Sequence, residues 1–257
     1  MRLVRTRLPR PAIVLSAALC SLALSVLAPA AGAGTYTPVA VAELFTSQGC
    51  SSCPPADRLW NELARRDDVL ALTLPVDYWD YLGWKDTLAS PANTARQRGY
   101  ARALQARSIY TPQAIINGAI DVVASRRAEV LAALAAARTG PDGIGLDISA
   151  GPQALTITAN AEPGSLPEPA TVWLVVFTGE ETVAIGRGEN AGRTIRYSNV
   201  VRAMYALGEL HVGTQRFAYP RGSLPEAADM KCAVMVQPSK HQAPGPVRAA
   251  AVLDGSC

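Results

Sequence analysis

The sequence predicts an α/β protein with two parts. An N-terminal module of mixed strands and helices spans residues 34–140, and a mainly β, sandwich-like module spans 141–257. Three observations predict it. An apolar run at 39–45 leads through a short loop into Cys50-Ser51-Ser52-Cys53 and then into a helical pattern. Two β-rich runs flank Asn117-Gly118, the strongest short-range hairpin signal. Past Gly140-Pro141-Asp142-Gly143 the chain turns into short β-type runs separated by Gly/Pro turns. With 257 residues, 49% apolar and 18% charged, it can bury sizeable cores and is not a disordered chain.

Residues 1–33 read as an export signal, removed after Ala33. Arg2, Arg5, Arg7 and Arg10 precede an apolar run at 12–27, and Ala31-Gly32-Ala33 supplies a small-x-small cleavage site. An uncleaved anchor is the alternative, although the run is short for a full span. The segment carries four arginines and no acidic residue, so its removal takes the formal charge from +3 to −1. That near-neutral remainder offers no basic footprint for nucleic acid, and no membrane contact is expected after cleavage. The expected location is periplasmic or secreted. Cys20 leaves with the signal, and Cys50, Cys53, Cys232 and Cys257 stay. In an oxidising compartment an even set suggests pairs. With Cys50 and Cys53 as the candidate active site, Cys232 and Cys257 remain by elimination for a structural bridge.

Within 34–140 the elements follow in order. Residues 39–45 are a buried strand with one carboxylate, Glu43, inside it. From Asp57 onward Leu59, Trp60, Leu63 and Ala64 recur at helical spacing, and Arg65-Arg66-Asp67-Asp68 ends the pattern. Residues 69–76 are a second strand, with Pro75 near its end. The segment 77–84 is crowded with Tyr78, Trp79, Tyr81 and Trp84, and Ser90-Pro91 starts a basic helix over 92–107. This insertion has two readings: a wall of a peptide groove, or aromatics that simply pack it onto the core. The hairpin occupies 109–123, with Pro112 early in its first run where a missing N–H is tolerated. Ser125 caps a helix over 128–137.

In the second part, strands are expected over 144–148, 154–161, 171–177, 182–185, 194–197, 233–237 and 247–253. A helix is expected over 199–210, from the spacing of Val200, Val201, Met204 and Leu207. The run 186–192 is superficially like a phosphate loop, but its spacing and setting are wrong, so it reads as a polar hairpin turn. His211 and His241, the only histidines, do not make a zinc site across two modules, and no nucleophile elbow supports a serine triad. No metal is assigned, and no cofactor beyond the cysteines is required.

The chemistry therefore rests on the Cys-x-x-Cys turn. Thiolate is the nucleophile, and a cysteine at a helix start is acidified by unpaired N–H groups and the helix dipole. A second thiol three residues on can resolve the mixed disulfide formed at the first. Hydroxyls of Ser51 and Ser52 can donate to a thiolate, which favours the reduced form and a more oxidising disulfide. Pro54-Pro55 works the other way. Pro55 disfavours a helical Pro54, so the regular helix is expected from about Pro55, with Cys50 ahead of its terminus.

The order strand, Cys-x-x-Cys, helix, strand, helical insertion, proline, hairpin, helix resembles the thioredoxin-like family over residues 39–138. More specifically, the run 45–57, Phe-Thr-Ser-Gln-Gly-Cys-Ser-Ser-Cys-Pro-Pro-Ala-Asp, is similar to the signature of a family of bacterial secreted proteins of unknown function. Those proteins have a thioredoxin-like fold and a β-rich C-terminal part. The resemblance implies that Cys50 attacks and Cys53 resolves. It implies that Pro112 is cis beside them, leaving Thr111 main-chain groups for an extended peptide near Ser51 and Ser52. A trans proline at a strand edge is the alternative. Glu43 stands near the place of a buried acid that relays protons to the resolving thiol, but one residue further from the first cysteine than usual. Its other reading is a polar partner at the strand edge. The usual Trp-Cys-Gly-Pro-Cys is absent. The implied function is an exported thiol-disulfide oxidoreductase acting on protein thiols and disulfides. Two other readings stay open: soft-metal capture, such as Cu(I), by the same thiolates, and a non-catalytic scaffold with a permanent disulfide.

Overall fold

The computed structural model describes Met1 and residues 34–137, 143–226, 229–240 and 243–257. The expected export signal with its cleavage site, Cys20, the expected 140/141 junction itself and His241 lie outside the described residues. Among the described residues no helix is long and apolar enough to cross a membrane.

The chain begins with the short β1 (Thr35–Tyr36) and enters β2 (Ala40–Thr46), which pairs in parallel with β3 (Val69–Pro75). Every residue of β2 and β3 is buried, since both faces of this pair are covered. Between them α1 (Pro54–Leu63) turns Ala56, Leu59, Trp60 and Leu63 inward, and the Trp60 indole donates to Leu72 O at 3.1 Å. Then α2 (Pro91–Ala103) starts where Ser-Pro predicts, the Ser90 hydroxyl accepting the Ala92 N–H. β4 (Gln113–Ile116) and β5 (Ile120–Val123) pair through Asn117 and Gly118, whose φ values of 47° and 68° are the left-handed pair this turn requires. α3 (Arg127–Ala136) begins without a side-chain cap, which corrects the assignment of Ser125 to that role.

The later strands are β6 (Ile144–Ala150), β7 (Ala154–Ala161), β8 (Ala170–Ala184), β9 (Thr194–Leu210), β10 (Gly213–Pro220) and β11 (Met230–Gln237). A two-residue ladder, β12 (Ser239–Lys240) with β13 (Ala243–Pro244), precedes β14 (Ala249–Leu253). The expected junction at 140/141 does not divide the sheet. One nine-stranded sheet runs β1-β14-β11-β8-β9-β3-β2-β4-β5. Its two halves meet where Thr73 pairs with Val200 and the Thr73 hydroxyl donates to Ser198 O at 2.6 Å.

Alternate residues of β2 face different cores. Ala40, Ala42 and Leu44 pack with α1 and α3, whereas Val41 and Phe45 pack with Tyr100 of α2 and with β3. In the later part a second sheet shares a core with the large one. β6, β7 and β10 make a three-stranded sheet, and Leu155 and Ile157 pack with Val172, Leu174, Val234 and Val236 of the large one. Cys232 and Cys257 are bonded inside this core, with a Cα–Cα distance of 5.5 Å. Their separation of 25 residues makes the bridge worth on the order of 3 kcal/mol of loop-closure entropy.

Residues 199–210 are strand, which corrects the expected helix. Val200 and Val201 point to opposite sides and both are buried, in different clusters, so the two-residue alternation is lost there. Bulges against β8 between Val172 and Trp173 and between Val176 and Phe177 shift the phase again. Doubly covered, bulged strand can mimic a helical spacing.

Candidate functional site

The end of β2, the loop 47–52 and the start of α1 build one tight turn. Cys50 and Cys53 are disulfide-bonded across it, with Cα atoms 5.4 Å apart. Cys53 is the N-cap of α1, and α1 starts at Pro54, one residue before the expected Pro55. The Cys50 N–H donates to Ser47 O and the Cys53 N–H to Cys50 O, at 3.1 and 3.2 Å. Both sulfurs are covered: Cys50 is 2% and Cys53 0% exposed, whereas Ser51 and Ser52 are exposed. The Ser52 hydroxyl lies 3.3 Å from Cys50 Sγ.

The helix start gives this sulfur little help. Pro54 and Pro55 occupy its first two positions and have no N–H. The next amides, Ala56 and Asp57, both donate to Cys53 O.

The Thr111-Pro112 peptide bond is cis. The Thr111 hydroxyl accepts the Trp79 indole N–H at 2.8 Å, and Trp79 stacks on Tyr81 with ring centroids 6.5 Å apart. A Cβ placed on Gly49 would lie 3.1 Å from Trp79 Cβ. The proline loop, the aromatic insertion and the cysteine turn therefore adjoin. Trp79 packs the insertion in place, while Tyr81 is 77% exposed.

Glu43 lies elsewhere. It is fully buried on the β2 face that carries Val41 and Phe45, and Arg96 of α2 grips both its oxygens at 2.5 and 2.9 Å. Tyr100 donates its hydroxyl to the same carboxylate. The acid beneath the cysteine turn is instead Asp57, one helical turn past Cys53 and 2% exposed. The Thr46 hydroxyl donates to Asp57 Oδ1 at 2.7 Å, and Oδ2 has no partner among the described residues. Burial, above all, pushes its carboxyl up to about 8, against the lowering effect of the Thr46 bond. Asp86, also raised by burial, accepts the Gln48 and Leu88 N–H groups at 2.8 and 2.9 Å. Tyr197 completes the group. Its buried hydroxyl has no hydrogen-bond partner among the described residues and is raised by burial, then by Asp57 and Asp86.

The loop between β8 and β9 closes over the turn. Asn190, fully buried, donates through Nδ2 to Gln48 O and Cys50 O, each at 2.9 Å, and Glu189 accepts the Ser51 N–H at 3.2 Å. Gly188, at φ 77°, lets this loop ride against Trp84, whose indole donates to Gln48 Oε1 at 2.7 Å. Of the residues the sequence singled out, Cys50, Ser51, Ser52 and Cys53 form the turn itself, and Thr111, next to Pro112, is linked to it through Trp79. Sequence reasoning missed Asp57, although four residues past Cys53 is the buried side of α1. It also missed Glu189 and Asn190, read only as a polar turn. Among the described residues no cluster of acids, cysteines or histidines is arranged to hold a metal ion.

Comparison with known proteins adds a family and two structures. The family model described as "Protein of unknown function (DUF1223)" matches residues 41–237, a span that holds the cysteine turn, the Thr111-Pro112 bond and the covering loop. A crystal structure of a protein from Agrobacterium tumefaciens is 32% identical, with a TM-score of 0.73 over 85% of this chain and 96% of that one. HBP35 of Porphyromonas gingivalis is 13% identical, with a TM-score of 0.58 over 87% of this chain and 77% of that one, a likeness of fold alone. No curated protein matches.

Proposed function

For this chain, which belongs to the DUF1223 family of proteins of unknown function, we propose thiol-disulfide exchange with protein substrates at Cys50 and Cys53. The N-terminal strands and helices then serve as a thioredoxin-like scaffold, in an exported protein that has lost residues 1–33. One observation carries the reading: a Cys-x-x-Cys disulfide stands at a helix start, Trp79 bridges its loop at Gly49 to the Thr111 of a cis Thr111-Pro112 bond, and a buried acid lies one helical turn on.

In the reducing direction the Cys50 thiolate attacks a substrate disulfide, forms an S–S bond to one sulfur and releases the other as thiolate. Cys53 then loses its proton and attacks Cys50 Sγ. The second substrate sulfur leaves, the substrate is reduced by two electrons and the Cys50–Cys53 pair is oxidised. Asp57 is the proton acceptor for Cys53 in this reading, in the role first sought for Glu43. With its value raised to about 8, Asp57 is mostly protonated at neutral pH, and its ionised fraction is basic enough to take the proton, which an ordinary aspartate is not.

The donor arrangement favours the reducing side. Ser52 is the hydroxyl within reach of Cys50 Sγ, while Pro54 and Pro55 lack N–H groups and Glu189 occupies the Ser51 N–H. A thiolate with so few donors favours the disulfide, against the oxidising effect expected from the two serines. Glutathione buffers with differential alkylation and mass spectrometry should place the pair at about −220 to −270 mV. The cover over both sulfurs favours a second reading, a permanent disulfide in an interaction scaffold. A pair still oxidised below about −300 mV establishes that reading and removes the first.

Asp57 also has a stability signature. Its native value is above the ordinary one of 3.8, so the folded protein holds a proton that the unfolded chain releases. The contribution of Asp57 to stability is fully present below about pH 4, is lost as pH rises toward about 8 and levels off beyond it. Asp57→Asn should match the parent at pH 4 and exceed it by a few kcal/mol at pH 8, while slowing exchange about 100-fold. Thermal melts across that window check the sign. Parallel curves for the two proteins would exclude a raised Asp57.

A further inference from the structure

The polar main chain of the cysteine turn is occupied by the protein itself. Asn190 uses both hydrogens of its side-chain amide, one on Gln48 O and one on Cys50 O, at 2.9 Å each. Glu189 takes the Ser51 N–H at 3.2 Å. Two carbonyls and one N–H within residues 48–51 are the groups that an extended polypeptide satisfies when it pairs edge-on, with its own N–H and C=O. Arg193 donates to Asn190 Oδ1 at 3.1 Å, which fixes the amide with its hydrogens toward the turn.

We infer that Glu189 and Asn190 are a built-in stand-in for the substrate main chain, so that the site selects extended polypeptide over small thiols. The inference rests on the exchange reading above and names its substrate class. Cys50 is 2% exposed and its carbonyl is bonded to this loop, so in this inference the loop gives way as a reactant reaches the sulfur. A small thiol displaces the loop and leaves Gln48 O without a donor and Cys50 O with the Cys53 N–H alone. A polypeptide replaces the same bonds one for one.

The test compares reduction of Cys50–Cys53 by dithiothreitol and by an extended peptide dithiol, read by alkylation and mass spectrometry on the full mature chain. Per thiolate, the parent should react about tenfold faster with the peptide, and Asn190→Ala should raise the dithiothreitol rate about tenfold and remove the preference. Cys232–Cys257, in another core, is the internal control and should keep its resistance. If Asn190→Ala exposes that second bridge too, Asn190→Asp, which keeps the size and loses the donor, decides the question on the same readout. An unchanged dithiothreitol rate, or a parent with no peptide preference, overturns the inference while leaving exchange in place. A parent inert toward every peptide thiol sinks both readings.

Discussion

Cys50→Ser abolishes turnover of a disulfide reporter, and Cys53→Ser converts the protein into a trap that carries its substrate as a mixed disulfide. The asymmetry follows from position. Cys50 lies on the loop side of the turn, between the exposed Ser51 and the covering Asn190, whereas Cys53 is fully buried as the N-cap of α1. On the exchange reading the first sulfur is the one reached once the loop moves. Removing it takes away the nucleophile, for a loss of about 10³-fold or more in exchange rate. Removing Cys53 leaves the attack intact but not the step that releases product. Intact mass under non-reducing conditions reads the adduct directly. Two variants that both exchange at the parent rate, with no adduct on either, would end the exchange reading.

The largest effect on stability is expected at Glu43 and Arg96. Their side chains are 1% and 9% exposed, and the guanidinium also donates to Gln237 Oε1 at 2.9 Å and lies 5.0 Å from the Tyr100 ring centroid. Gln237 in turn donates to the Tyr100 hydroxyl and to Gly245 O. The ion pair thus pins α2 between β2 and β11. Glu43→Ala strands a buried guanidinium and should cost about 3–5 kcal/mol, or roughly 10 °C in Tm. Replacing both partners with apolar residues, as in Glu43→Leu with Arg96→Met, should return most of that loss. A single variant within about 1 kcal/mol of the parent would show that water reaches the pair.

The same residue shows what could be read from the chain and what could not. Glu43 matched an acid in kind and approximate place, but one residue off in spacing. A strand has a period of two, so one residue of offset moves a side chain to the opposite face. The offset that looked like a small irregularity sends Glu43 to α2 and leaves the helix face to Asp57. Local chemistry was readable: Asn117-Gly118 makes its hairpin, Ser90-Pro91 starts its helix, and the two cysteine pairs are as expected. Contacts across long separations were not. Nothing in the run 186–192 indicates that it covers residues 140 positions earlier, because that approach is set by the length of β8 and β9 and by their register. The helix expected at 199–210 failed for a related reason, since burial on both faces erases the alternation that identifies a strand.

That long-range cover has a consequence for biogenesis. Asn190 follows Cys50 by 140 residues, so at typical synthesis rates the two thiols emerge roughly ten seconds before the residues that will shield them. Through that interval the two thiols are open to any reactive partner the compartment supplies. Cys232 and Cys257 arrive later still, after the shield. The order of appearance along the chain thus places Cys50 and Cys53 side by side before Cys232 and Cys257 exist.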